Sequence, residues 1–342
     1  KHFQQSNDYL KTFTVGFDLS SASGMELSFD ERAKAEYMSY KFQTEHYEMV
    51  LKSGDMERCM NDFTYHLEEP RVGQSYPNYY AAKLASKFVK VVLSGAGGDE
   101  LFAGYPWRYY KAVNNDSFDG YIDKYYGFWQ RLIPNKDIEN IFSPIANEVE
   151  DVWTRDIFAN VFKNKKQFHT PEEYINHSLY FEAKTFLHGI LVVEDKLSMA
   201  HSLEARLPFL DNDLVDFAQK IPIKLKLGDL HKVVKMDENQ IGKLQKTNDG
   251  KVILRKAMSS HLPQDIITAT KQGFSSPDNS WFKGESIGFV KAKLLSDNAN
   301  IYQYMDKAAT KKMINEHLSG ERNRRLFVWS LLNFEEWCEV YG

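Results

Sequence analysis

Two cysteines in 342 residues, Cys59 and Cys338, exclude a disulfide scaffold and a four-thiolate zinc site. Neither sign of charge dominates: 43 Lys and Arg stand against 47 Asp and Glu, for a net charge of −4. The basic stripe that nucleic-acid binding requires is therefore missing. Apolar runs are short; Phe186 to Val193 is among the longest and is interrupted by His188, far from the ~18 to 20 residues that span a bilayer. With 19 Gly and 10 Pro the chain has no low-complexity character, and 14% aromatics supply a core, so disorder is excluded too. What remains is a chain of about two packed units at ~150 residues each, expected in a reducing, cytoplasmic setting without nucleic-acid or membrane partners. It opens Lys1-His2-Phe3 with no leader signature and enters a strand-like run by Thr12, as expected of a piece of something longer.

The first hundred residues alternate between two periods. Thr12 to Phe17, His46 to Leu51 and Lys90 to Leu93 read as strands, while Asp30 to Phe42, Met56 to Leu67 and Tyr79 to Phe88 read as helices. Such alternation predicts a parallel sheet with helices on its faces. After Gly104 the pattern turns helical and rich in Tyr, Phe and Trp, with a soft boundary between Tyr105 and Asn115. The domains expected are 1–110, an α/β core, and 111–342, a mainly helical part. Gly228 to Gly250, rich in Asp, Lys, Asn and Gly, reads as a surface excursion.

The most informative stretch is Val91-Val92-Leu93-Ser94-Gly95-Ala96-Gly97-Gly98-Asp99-Glu100-Leu101-Phe102. A strand ends in three glycines within four positions, and glycines let backbone amides approach a ligand outside the carboxyl end of a strand. It is neither a P-loop nor a dinucleotide fingerprint, since both spacings fail. Asp99 and Glu100 would repel a bare phosphate, and a divalent cation held between carboxylate and phosphate removes that conflict. The residues alone leave open a plain glycine turn with Asp99 as an N-cap.

Two further segments bear on that choice: Ser198-Met199-Ala200-His201-Ser202-Leu203-Glu204-Ala205-Arg206-Leu207-Pro208-Phe209-Leu210-Asp211, expected to be a helix ending at Pro208, and Lys271-Gln272-Gly273-Phe274-Ser275. Together with the Ser94 to Tyr105 loop, and in this order, they resemble the synthetase domain of glutamine-hydrolysing asparagine synthetase. Leu254-Arg255, Leu262-Pro263 and the opening Phe13 to Phe17 extend the resemblance, which runs from about Thr12 to Trp281.

The resemblance implies an adenine-nucleotide α-hydrolase-like (ATP pyrophosphatase) α/β fold with a mostly helical second lobe. It implies an ATP-dependent ligase that activates aspartate as a β-aspartyl adenylate, with Mg²⁺, and lets ammonia displace AMP to give asparagine. By carry-over, Val15 and Gly16 line an adenine pocket. Ser94, Gly95, Gly97 and Gly98 meet the nucleotide, Asp99 binds Mg²⁺, and Lys271 steadies the charge passing through the transition state. Glu204 with Arg206, and Asp195 with Lys196, are expected to be structural pairs. His46, His188 and His201 are expected as core or rim residues, and Arg322 to Arg325 as a solvated face or a docking patch.

Three departures accompany the match. In the family a first strand and a pyrophosphate loop, Ser-Gly-Gly-x-Asp-Ser, come just before the Phe-Thr-Val-Gly-Phe strand, and this sequence does not include them, nor the family's N-terminal glutaminase domain that frees ammonia from glutamine. The position after Ser94-Gly95, often acidic in the family, is Ala96. Expected from these are a nearly inactive isolated chain, room for a homodimer, and two alternatives: a relative with another acceptor, such as a β-lactam synthetase or amidotransferase, or a non-catalytic relic.

Overall fold

A computed structural model describes residues 9–109, 115, 117–163, 168–228, 249–271 and 273–342. The surface excursion expected at Gly228 to Gly250 falls mostly at 229–248, outside the described residues, as does Gln272. Parallel pairing is as expected: β1 (Lys11–Phe17) runs in register with β2 (Glu45–Leu51), Val15 opposite Met49. β3 (Val91–Leu93) pairs, also parallel, with β4 (Glu204–Arg206). Among the described residues the two pairs form separate two-stranded sheets, so β1 and β3 each keep one unpaired edge.

Helices α1 (Arg32–Phe42), α2 (Ser53–Leu67) and α3 (Tyr76–Ala85) connect these strands. Their ends have local causes. The Asp55 carboxylate accepts from Lys52 N at 2.7 Å at the start of α2, satisfying an amide the helix leaves free. Gln43 and Glu68 close α1 and α2 in the left-handed region, at φ 50° and 65°. The helical part follows with α4 (Phe118–Trp129), α5 (Pro171–Lys184) and α6 (Phe186–Met199). Thr170 and Glu173 exchange hydrogen bonds at the start of α5, at 3.3 and 3.0 Å, a reciprocal cap. The helix expected to run to Pro208 stops at Met199: Ser202 turns at φ 54°, Leu203 is buried, and Glu204–Arg206 is a strand. Three residues are too few for an alternation to be seen in the sequence. Helices α7 (Asn212–Lys220), α8 (Ile287–Leu294), α9 (Lys307–Leu318) and α10 (Arg325–Tyr341) complete the framework.

The main core lies where β1 and β2 meet α2, α3 and the last helices, around Phe17, Phe63, Tyr76, Trp281 and Trp329. A second core is almost wholly aromatic: Tyr121, Tyr125, Phe158, Phe162, Tyr174 and Phe181 pack with ring centroids 4.3 to 5.8 Å apart. Among the described residues no helix is long and apolar enough to cross a membrane.

Candidate active site

The chain leaves β3 at Ser94, whose amide still donates to Arg206 O at 2.9 Å. Gly97 then takes φ 91°, open to glycine and costly to other residues, and caps a single helical turn, Gly98–Leu101. Asp99 lies inside that turn and is not its N-cap. Its carboxylate instead faces two ammonium groups, Lys251 Nζ at 2.9 Å and Lys271 Nζ at 3.2 Å. Burial pushes the Asp99 carboxyl up, Lys271 and Lys251 push it further down, and the balance lies below the ordinary carboxylate value. Lys271 is 18% exposed and stands 5.5 Å from the Tyr105 ring, which places it in the site rather than on a solvated face.

Close backbone approach makes this possible. The Gly104 amide donates to Asp99 O at 2.7 Å, and a Cβ on Gly104 would fall inside the Asp99 carboxyl group. Lys251 is delivered by a second docking: its amide donates to Phe102 O at 3.0 Å, and a Cβ on Gly250 would meet Ala103 O at 2.5 Å. Gly228 N to Asp249 O, at 2.7 Å, joins the two ends of the 229–248 segment. Lys251 was not singled out in the sequence, where it directly follows the excursion expected at Gly228 to Gly250.

The loop carrying Lys271 is fixed from several sides. Glu26 accepts from the amides of Asn279 and Ser280 at 2.9 and 3.1 Å, holding the turn Asp278–Trp281. Phe274 and Trp281 pack on Phe17 at the end of β1, at 6.0 and 6.3 Å. That contact links Lys271 to Val15 and Gly16, both buried in β1. A Cβ on Gly16 would collide with the Asp30–Arg32 pair lying against the strand. Arg325 donates from Nη1 to Ser275 Oγ at 3.1 Å, and Arg324 Nε meets Glu316 Oε2 at 2.6 Å. Arg324 and Arg325 are thus tied inward to partners outside the cluster, which their clustering could not reveal, whereas Arg322 and Asn323 are exposed as expected of a solvated face.

Behind the site runs a buried polar network. Tyr105 donates to Glu100 Oε1 at 2.9 Å, so the second acid of the Asp-Glu pair turns away from Asp99's partners. The Arg108 guanidinium lies 3.8 Å from the Tyr105 ring and 3.5 Å from Glu182 Oε2. Tyr109 and Tyr125 donate to Glu182 at 3.0 and 2.9 Å. Burial still pushes the Glu182 carboxyl up to about 7 against these partners. On the other flank, burial raises the carboxyl of the half-buried Glu194 in α6 above its ordinary value, and the Ser94 hydroxyl lowers it. In the sequence its neighbours Asp195 and Lys196 stood out instead.

The remaining candidates fall into structural roles. Lys196 donates to Leu67 O and Glu68 Oε2 at 2.9 and 2.7 Å, tying α6 to the end of α2. Arg206 and Glu204 pair at 2.9 Å but stand 62% and 56% exposed, where such a pair contributes little. His46 meets Thr12 Oγ1 at 2.9 Å, and His201 packs on Tyr79 at 4.4 Å. Among the described residues no three His, Cys, Asp or Glu gather as a metal cage. A single carboxylate nevertheless suits an ion that arrives with its nucleotide, because Mg²⁺ is held by one or two carboxylates plus substrate phosphates.

Comparison with known proteins gives a consistent answer. The Asparagine synthase family profile matches residues 2–339. Asparagine synthetase [glutamine-hydrolyzing] 1 of Bacillus subtilis (strain 168) is 26% identical over 363 aligned positions, covering 97% of this chain and 52% of that protein. A putative asparagine synthetase [glutamine-hydrolyzing] of Mycobacterium bovis is 27% identical over 371 positions, covering 98% and 51%. The chain thus spans about half the length of the curated relatives it matches.

Proposed function

Given that the chain belongs to the asparagine synthase family, we propose that it carries the synthetase half of an ATP-dependent amide-forming ligase, with aspartate as the acid and ammonia as the nitrogen source. The observation that carries this reading is the pair of ammonium groups, Lys251 and Lys271, gathered on Asp99 beside the glycine loop. In water a carboxylate is a poor acyl donor until one oxygen joins a good leaving group. The aspartate β-carboxylate attacks the α-phosphorus of ATP, the bond to the bridging oxygen breaks, and pyrophosphate leaves. Lys271 and Lys251 turn from Asp99 to the phosphates as the negative charge builds. Fixed cations in a water-poor cleft are worth far more there than in bulk solvent.

Val15 and Gly16 line the adenine side, and Ser94, Gly95, Gly97 and Gly98 offer backbone amides to the nucleotide. Asp99 would hold a Mg²⁺ borne by the phosphates, which would screen their charge. Ammonia then takes the adenylate carbonyl and AMP departs. In the full protein the ammonia comes from a glutamine-hydrolysing domain. Ala96 keeps a second reading in play, the same activation with another acid as acceptor. Two half-buried lysines from distant segments held on one carboxylate speak against a relic.

The test is aspartate-dependent pyrophosphate release by the protein expressed from its native coding sequence. Lys271→Ala should lower it by about 10²-fold or more with unchanged melting. Equal rates in parent and variant would overturn the assignment of Lys271; release stimulated by a different acid and not by aspartate would favour the second reading.

A further inference from the structure

The two ammonium groups on Asp99 come from separate stretches of chain. Lys251 opens the helix Val252–Ala257 from the left-handed region, at φ 56°. Lys271 follows the turn Gln264–Ile267, after which Ala269 N donates to Ile266 O at 3.3 Å. Lysine is a point charge on a flexible four-carbon stem, so the ion pairs with Asp99 alone leave the spacing of the two backbones loose. One side chain touches both stretches. Arg255 donates from Nε to Gly250 O at 2.9 Å, next to Lys251, and from Nη1 to Ile267 O, where the turn before Lys271 ends. Its own amide donates to Lys251 O at 2.8 Å.

The residue type suits the task. A planar guanidinium carries five N–H donors in a fixed fork, so one group can serve two carbonyls at a set separation, which a lysine ammonium cannot copy. The neighbouring Leu254 and Ile253 pack with Leu101 and Phe102, seating the helix on the turn that holds Asp99. The pair Leu254-Arg255, noted in the sequence without a role, therefore divides its work. The leucine docks the helix on the glycine-loop turn, and the half-buried arginine joins that helix to the segment leading to Lys271.

We infer that Arg255 is a positioning residue, holding the backbones of Lys251 and Lys271 at one separation so that both ammonium groups can pass from Asp99 to the phosphates of one nucleotide. The inference rests on the ligase reading above. Arg255 itself meets no substrate in this scheme; its effect is carried by the two lysines. A misplacement of about 1 Å at a reacting centre can cost about 10²-fold in rate.

The test uses the protein from its native coding sequence with ATP and aspartate, and reads pyrophosphate release and the labelling of lysines by acetic anhydride. Arg255→Lys keeps the charge and loses the span. It should lower pyrophosphate release by about 10²-fold and open Lys251 and Lys271 to the anhydride, while Lys196, bound to Leu67 O and Glu68, keeps its labelling. Placed on Lys271→Ala, the same change should cost no more than about tenfold, because part of what it positions is already gone. A second loss of about 10²-fold there would show Arg255 acting apart from the lysines and would overturn the proposal. So would unchanged labelling of Lys251 and Lys271. If Arg255→Lys does not fold, Arg255→Gln, which keeps a donor for one carbonyl, carries the same measurements; if neither melts cooperatively, Arg255 serves folding and the proposal fails. A parent that releases no pyrophosphate with any acid would defeat the ligase reading and this proposal with it; an active parent matched by Arg255→Lys would defeat this proposal alone.

Discussion

Two of the residues set around Asp99, Gly104 and Lys251, make distinct predictions. Gly104 gives way to the carboxylate, so Gly104→Ala forces the Asp99 side chain or the loop aside. A loss of about 1 to 3 kcal/mol, the range for overpacking, should appear in urea melts together with loss of pyrophosphate release. Lys251 is one of two partners on a partly exposed carboxylate, where the pair itself adds at most about 1 kcal/mol. Lys251→Met should therefore change melting little while raising the KM for ATP at least about tenfold, the equivalent of 1.4 kcal/mol of lost phosphate binding. A large loss of stability with an unchanged KM would show Lys251 to be a structural clamp.

At the scale of elements, α5 depends on its cap. Thr170 and Glu173 satisfy each other's amides, so Thr170→Ala should cost about 1 kcal/mol, measurable by denaturant midpoint without loss of nucleotide binding. The elements also show what could be read in advance. The α/β alternation of the first hundred residues was legible because each strand and helix has its own hydrophobic period. Asp99 and Lys271 were legible through the motifs around them. β4 was not, because three residues carry no period, and its place is set by Ser94 and Leu93 opposite Arg206. Lys251 was hidden for a different reason: it reaches the loop after β3 only through tertiary packing, by docking on Phe102. Arg324 and Arg325 were misjudged likewise, since a local run of charge does not reveal a partner such as Glu316 or Ser275.

Over the whole molecule, buried acids tie stability to pH. Burial pushes Glu182 and Asp278 each up to about 7, above the value of an unfolded carboxyl near 4. Because both folded values are raised, their contribution is complete below about pH 4 and is lost as pH rises through 7. Asp99 runs the other way: its folded value is lowered, so its contribution is present above the unfolded value and is lost as pH falls below it. Melting temperature should peak in mildly acidic solution and decline toward pH 8, and Glu182→Gln should flatten that decline. A profile rising steadily from pH 5 to 8 would contradict the burial of these two acids.

The central claim is that the cluster of Asp99, Lys251 and Lys271 activates a carboxylate by joining it to AMP. The most direct measurement supplies aspartate with ¹⁸O in its β-carboxylate, together with ATP and ammonium, and locates the label by mass spectrometry. One labelled oxygen on AMP, with pyrophosphate unlabelled, is the predicted result. Label in inorganic phosphate accompanied by ADP would place the attack on the γ-phosphorus and contradict the account.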